Sequence, residues 1–157
     1  WIALSPASID SGCMRVMPGT HATGTLPHED RYHDANMLTR GQEITEGVDD
    51  DRAVYMPLET GQMSIHNYCL AHASGPNISA DRRIGISMHF MPTYTEQVVG
   101  DWDSAALVRG QDSHHNFDPT PTPAMDFDPD AVAFHVRATV ALNKVLYTGA
   151  AENTGKL

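Results

Sequence analysis

Apolar residues along this chain arrive in short runs broken by turn signals, the pattern of an all-β barrel or sandwich rather than of alternating strands and helices. Trp1-Ile-Ala-Leu4 reads as the inside of one strand, and Cys13-Met-Arg-Val-Met17 as a second, stopped by the turn dipeptide Pro18-Gly19. From about Thr20 to Asp51 the chain turns polar and His-rich. That stretch is too long for a tight connection and predicts a lid or substrate loop with little regular structure. Val54–Leu58 resumes the strands. From Gln62 to Ala73 the alternation predicts a further strand, in which residues two apart share a face, setting His66, Tyr68, Leu70, His72 and Ser74 together. After the turn Gly75-Pro76-Asn77, Arg83–Phe90 predicts the next strand, with Arg83, Gly85, Ser87 and His89 on one face. A hairpin-like pairing of these two strands would bring His72 and Arg83 into one cavity, and the small Gly85 and Ser87 would leave room there for a ligand.

Residues 111–127 are rich in Pro, Asp and His and predict an irregular connection. The chain then turns helical over 128–149. Asp128 can cap, Pro129 fits the first turn, Val132, Val136 and Val140 recur four apart, and Gly149 is a stop. This helix is expected to pack on the outside of the sheet. The resulting picture is a single domain over 1–157, with barrel strands and lid loop in 1–110, the connection in 111–127 and the helix in 128–149.

The 157 residues, 41% apolar and 19% charged, suit one globular domain able to bury roughly 68–70% of its unfolded surface. Twenty acidic against ten basic residues give a net charge of −10, which disfavours nucleic acid and anionic membrane as partners, since both are bound by clustered Lys and Arg. Cys13 and Cys69 make neither a disulfide framework nor a zinc pattern. No apolar run approaches a membrane span and no signal-peptide pattern opens the chain. The expectation is a cytoplasmic protein acting on a small molecule, with no nucleic-acid or membrane partner. Oligomeric state is left open.

The candidate chemistry lies in the run from His72 to Arg83, eleven positions apart. A neutral imidazole can hold iron, and a guanidinium shortly after it can clamp a carboxylate through two parallel hydrogen bonds. Ser74, on the face of His72, could add a hydroxyl to the same carboxylate. The bland alternatives are a histidine satisfied in a sheet and an Arg83 ion pair with Asp81 or Glu59, although Arg82, pointing the other way, suits that exposed role better. His28-Glu29-Asp30 has the His-x-Asp form and precedes His72, as a two-His, one-carboxylate iron triad requires. His21, His66 and His89 are candidates for substrate contacts or for orienting a ligand. His114-His115 reads as a solvated pair.

Four segments together, Trp1-Ile-Ala-Leu4, Gly12–His21, Gly61–His66 and His72–Arg83, resemble the phytanoyl-CoA dioxygenase family, and the resemblance extends from Trp1 to about Gly149. It implies a double-stranded β-helix (a cupin-like jelly roll) with a C-terminal helix, using Fe(II) as cofactor and 2-oxoglutarate as co-substrate. By position it implies that His72 is the distal iron ligand, that Arg83 is the 2-oxoglutarate arginine, and that Ser74 and Trp1 make further co-substrate contacts. No catalytic side chain is implied beyond the metal centre. Thr20 stands where Ser is commoner, and Gln62 where many relatives are acidic. The family's own His-x-Asp motif falls upstream of the position of Trp1, so the chain is expected to be N-terminally truncated and inactive by itself. On this reading His28 and Asp30 are loop residues rather than ligands; the two assignments stay open. The implied reaction hydroxylates an unactivated C–H bond of a small molecule, consuming O₂ and releasing succinate and CO₂. The alternatives are a halogenase of the same superfamily and a non-catalytic, cupin-like binding domain or inactive fragment.

Overall fold

The computed structural model describes residues 1–33 and 36–151. In chain order its elements are β1 (Ile2–Ala3), β2 (Met14–Val16), β3 (His28–Asp30), β4 (Gln42–Ile44), β5 (Val54–Tyr55), β6 (His72–Ser74), β7 (Gly85–Ile86), β8 (Ser104–Ala105), β9 (Asp118–Pro119) and α1 (Pro129–Leu146). The result is a mostly β chain with one C-terminal helix. It divides into two compact units, the first made of Trp1–Glu29 with Glu43–His89, the second of Asp30–Gln42 with the chain from Phe90 onward.

In the first unit β2 is the central strand of three, in the order β5-β2-β6, and β1 pairs with β7. All three pairings are antiparallel, with Val16 opposite both Val54 and His72, Met14 opposite Ser74, and Ala3 opposite Gly85. Single bridges join Ile2 to Met63 and Ala7 to Leu58. The buried apolar residues are Ala3, Ala7, Cys13, Val16, Met17 and Ala71, and the largest fully buried side chain is Cys13. Such small side chains let the backbones approach closely, so hydrogen bonds carry much of the registration. Cys13 and Cys69 are free thiols.

Two expectations about local structure are corrected. The segment from Gln62 does not run as one strand to Ala73, because Asn67 folds a tight turn: its side-chain oxygen accepts from Cys69 N at 2.8 Å and its carbonyl from Leu70 N at 3.0 Å. That local competition with the ladder is what Asn side chains offer. Nor do β6 and β7 form a hairpin; β6 takes β2 as partner and β7 takes β1. The polar stretch 20–51 holds little regular structure, as expected: the short β3 and β4 pair within it, and single 3-10 turns sit at Thr20–Ala22 and Asp50–Arg52.

In the second unit the short parallel ribbon β8-β9 places Ser104 opposite Asp118. Helix α1 begins as the sequence predicts, with Asp128 accepting from Asp130 N and Pro129 in the first turn, and it ends at Leu146, three residues before Gly149 at φ 73°. Its packing face is another matter. Val132, Val136 and Val140 are each about half exposed (46–56%), whereas Phe134, Ala138, Ala141 and Val145 are half-buried. Phe134 meets Trp102 edge-on at 5.6 Å, and Arg137 lies 3.7 Å over the same indole, whose Nε1 donates to Asp118 at 2.6 Å. One aromatic–cation stack selected the face against a row of equally spaced valines. Beyond the helix, Arg40 donates to the Thr148 carbonyl at 3.3 Å and the Tyr32 hydroxyl accepts from Ala151 N at 3.1 Å. No described helix is long and apolar enough to cross a membrane.

The Asp128 carboxyl is held below its ordinary pKa, first by the Ala124 N–H and then by that of Asp130. A carboxylate stabilised in the folded state contributes above the unfolded pKa of about 3.9 and loses that contribution as pH falls through the lowered value. Asp128→Ala is therefore expected to lower the Tm by a few degrees at neutral pH and to flatten the acid limb of the Tm–pH curve below pH 4, with Asp128→Asn retaining most of the neutral-pH stability; far-UV circular dichroism melts read both.

Candidate functional site

Strand pairing, a side-chain pin and a tied-down connection position His72, Ser74 and Arg83 in the first unit. The pairing of β6 with β2 sets His72 and Ser74 on one face. Thr20, buried under the start of β6, donates its hydroxyl proton to the Met17 carbonyl at 2.9 Å and accepts from Ala71 N at 2.9 Å. Met17 N in turn donates to Ala71 O at 2.9 Å, so the residue preceding His72 is held on both sides. The connection from His72 to Arg83 is tied down by Ile78 N donating to Asp10 O at 2.8 Å. It also needs Gly12, which has φ 73° and where a Cβ would lie 2.5 Å from the Gly75 carbonyl oxygen.

Arg83, Ser74 and Trp1 then meet. The Arg83 guanidinium donates to the Ser74 hydroxyl at 3.2 Å and lies 5.6 Å from the Trp1 ring, within cation–π range. Arg83 has no carboxylate partner among the described residues, so neither Asp81 nor Glu59 holds it. The open space expected over Gly85 is filled: a Cβ there would overlap the six-membered ring of Trp1. Glycine at 85 is therefore the seat of the indole rather than a gap for ligand.

His72 is exposed, and its Nδ1 donates to the Leu70 carbonyl at 2.8 Å. A carbonyl only accepts, so Nδ1 carries a proton there, which in the neutral ring leaves the lone pair on Nε2, the tautomer a metal ligand needs. The His66 ring lies 5.6 Å from that of His72, and its own Nδ1 is buried without a hydrogen-bond partner. Burial, then the neighbouring His72, push the His66 pKa below its ordinary value. Nearby, Tyr68 meets His89 edge-on at 5.6 Å, and His89 Nε2 is 3.4 Å from the Ser87 hydroxyl.

The residues fit a bound 2-oxoglutarate better than they fit a complete metal centre. An unpaired guanidinium, a hydroxyl and an aromatic wall are a carboxylate cradle. Among the described residues, however, no three His, Cys, Asp or Glu side chains come together so as to hold a metal ion. His28 Nδ1 donates to the Leu26 carbonyl at 3.0 Å, while Asp30 is engaged by the Tyr32 hydroxyl at 3.2 Å and by Arg40 at 3.3 Å. Among the described residues His72 thus does not have two further potential metal ligands beside it. Two cavities, one of about 290 Å³ beside Thr20 and Arg52 and one of about 230 Å³ beside Trp102 and Asn116, include neither His72 nor Arg83. Periodicity gave no hint of Thr20 as a pin or of Gly85 as a seat, since both depend on pairings distant in sequence.

Comparison with known proteins agrees with this architecture. The model of the phytanoyl-CoA dioxygenase (PhyH) family matches residues 1–85. Human peroxisomal phytanoyl-CoA dioxygenase is 29% identical over 90 residues, 57% of this chain and 27% of that protein. The 1-deoxypentalenic acid 11-beta-hydroxylase of Streptomyces exfoliatus is 30% identical over 83 residues, 52% of this chain and 29% of that protein. Among solved structures, the apo form of the non-heme monooxygenase ThoJ superposes with a TM-score of 0.75 at 34% identity, over 94% of this chain and 52% of that one. A ThoJ–Ni complex gives 0.65 at 28% identity, over 94% and 50%. The fold is that of a non-heme oxygenase. The chain belongs to the phytanoyl-CoA dioxygenase family, and it spans about a quarter to a half of the length of these relatives.

Thr20→Val is expected to cost about 1–3 kcal/mol, because it strands the Ala71 N–H in a buried position; Thr20→Ser should keep most of the stability. Urea denaturation with an unchanged m-value is the measurement. Gly85→Ala is expected to expel the Trp1 ring, seen as a changed near-ultraviolet circular dichroism spectrum with the far-ultraviolet spectrum intact.

Proposed function

We propose that the chain is the part of an Fe(II)- and 2-oxoglutarate-dependent oxygenase that holds the co-substrate and one metal ligand, in an enzyme that hydroxylates an unactivated C–H bond of a small molecule. The observation that carries this reading is the convergence of Trp1 and Ser74 on an Arg83 guanidinium that has no carboxylate of its own. Support comes also from the relatives, named as dioxygenase, hydroxylase and non-heme monooxygenase.

Bound together, iron, 2-oxoglutarate and O₂ supply a two-electron oxidation that leaves one oxygen atom in the hydroxylated product and one in succinate, with CO₂ released. The chain's own residues prepare that chemistry. Arg83 takes the far carboxylate of 2-oxoglutarate through two parallel hydrogen bonds, a geometry Lys cannot reproduce. Ser74 already accepts from Arg83, so its proton is free to be donated to the same carboxylate. Trp1 covers the guanidinium on one side and keeps water from competing there. His72 offers Nε2 to the metal while the Leu70 carbonyl fixes the ring. The other two ligands are assigned to the family's upstream His-x-Asp motif rather than to His28 and Asp30, whose carboxylate Arg40 and Tyr32 occupy. His66, whose ring lies 5.6 Å from that of His72, is the group assigned to meet a substrate or a bound water.

Anaerobic titration of the full-length protein with Fe(II) and 2-oxoglutarate tests this through the weak visible metal-to-ligand charge-transfer band. A band is expected in the parent and in His28→Ala with Asp30→Ala, and none in His72→Ala. Arg83→Ala and Arg83→Lys should weaken 2-oxoglutarate binding roughly 10–100-fold, as loss of charge-assisted hydrogen bonds worth about 1.5–3 kcal/mol implies. Loss of the band in the His28/Asp30 variant would transfer the triad to the internal motif. A full-length parent that gives no band and binds no 2-oxoglutarate would leave the non-catalytic reading.

A further inference from the structure

Arg83 lies just before β7, whose ladder with β1 begins only at Gly85. Among the described residues its own N–H and C=O make no backbone hydrogen bond. What fixes its backbone is a single side chain 78 positions earlier in the chain. The Ser5 hydroxyl donates to the Arg82 carbonyl at 3.1 Å and accepts from the Ile84 N–H at 2.8 Å. Leu4 N and Ser5 N both donate to the Ile84 carbonyl, at 2.9 and 3.1 Å.

The geometry matters because of which peptide groups are held. The Arg82 carbonyl belongs to the peptide plane before the Arg83 Cα, and the Ile84 N–H to the plane after it. Rotation about the two soft backbone torsions of Arg83 is rotation of those planes relative to the Cα. One hydroxyl bonded to both therefore locks φ and ψ of Arg83 together, and with them the direction in which its side chain leaves the backbone. A guanidinium that must meet a carboxylate through two parallel hydrogen bonds tolerates little error in that direction.

We propose that Ser5 is a positioning residue for 2-oxoglutarate binding, acting through the Arg83 backbone without touching the ligand. The inference rests on the functional reading above. It also predicts that the stability effect is small, because Ser5 and its partners are at most half-buried and water can replace the lost hydrogen bonds.

The test is calorimetric binding of 2-oxoglutarate to the full-length protein loaded anaerobically with Mn(II), with Mn(II) binding and the Tm measured alongside. Ser5→Ala should weaken 2-oxoglutarate binding about tenfold, the scale of re-ordering one loosened rotamer-rich side chain, with Mn(II) affinity within about twofold of the parent. Ser5→Thr, which keeps the hydroxyl, should restore the affinity, a rescue that a packing role would not produce. Ser5→Ala binding 2-oxoglutarate within about twofold of the parent overturns the proposal. So does weakening of Mn(II) and 2-oxoglutarate in parallel with a fallen Tm, the signature of a merely structural residue. If Ser5→Ala does not fold, Ser5→Cys replaces it, whose thiol is a poorer donor and acceptor; parent-like affinity there overturns the proposal equally. A parent that binds Mn(II) but no 2-oxoglutarate is a different failure and removes the functional reading itself.

Discussion

The register of β2 against β6 is the constraint on which the candidate site depends. Side chains alternate with a period of two along a strand, so a slip of one residue would turn Ala73 toward the site and send His72 and Ser74 to the opposite face. The buried side chains of this unit are too small to forbid such a slip by bulk alone. The Thr20 hydroxyl and the Met17–Ala71 bond do so instead, by fixing the residue immediately before His72. On its other edge β2 is paired to β5 with Arg15 opposite Tyr55, so the central strand is registered from both sides.

Much of this was legible in the sequence at the level of residue type and much less at the level of partners. Strands appear where apolar runs predict them around Ile2, Met14, Val54, His72 and Gly85, though shorter, and Asp128 and Pro129 marked the start of the helix. Alternation in a segment says which residues share a face but not which strand lies alongside. A local hairpin is the simplest expectation for β6 and β7, yet each finds its partner far away, at β2 and β1. The two segments still meet, through the bond from Arg83 to Ser74 rather than through a shared ladder. Ser74 and Arg83 are legible from residue type and strand face and Trp1 from resemblance alone, and the convergence of all three on one surface is a separate, geometric fact.

The helix shows the complementary failure. Three valines four apart make an apolar stripe, but stripes on α1 compete, and that of Phe134, Ala138, Ala141 and Val145 runs along another side. The competition is decided by Trp102, whose ring meets Phe134 in a T-shaped contact and carries Arg137 over its face, while Asp118 takes its N–H. A large aromatic with three partners outweighs a row of methyl groups. Nothing in the spacing of the helix itself announces where that indole lies, because Trp102 and Asp118 reach it from the β8-β9 ribbon.

Charge gives the strongest physical argument for a ligand at Arg83. With twenty acidic residues to ten basic ones, carboxylates are abundant, and Arg15, Arg40 and Arg137 each have one within 4 Å. Among the described residues Arg52, Arg82, Arg83 and Arg109 do not, and of these four Arg83 alone is half-buried while the others are exposed. The described partners of Arg83 are a neutral hydroxyl and an aromatic face, both of which tolerate the cation without neutralising it. A half-buried guanidinium left unpaired forgoes the stabilisation that a carboxylate would give. That deficit is what a carboxylate arriving from solution would relieve, so the local cost to folding and the proposed affinity for an acidic co-substrate are two sides of one arrangement. An Asp or Glu introduced beside Ser74 would stabilise the chain and, by occupying Arg83, remove the reason for a ligand to bind.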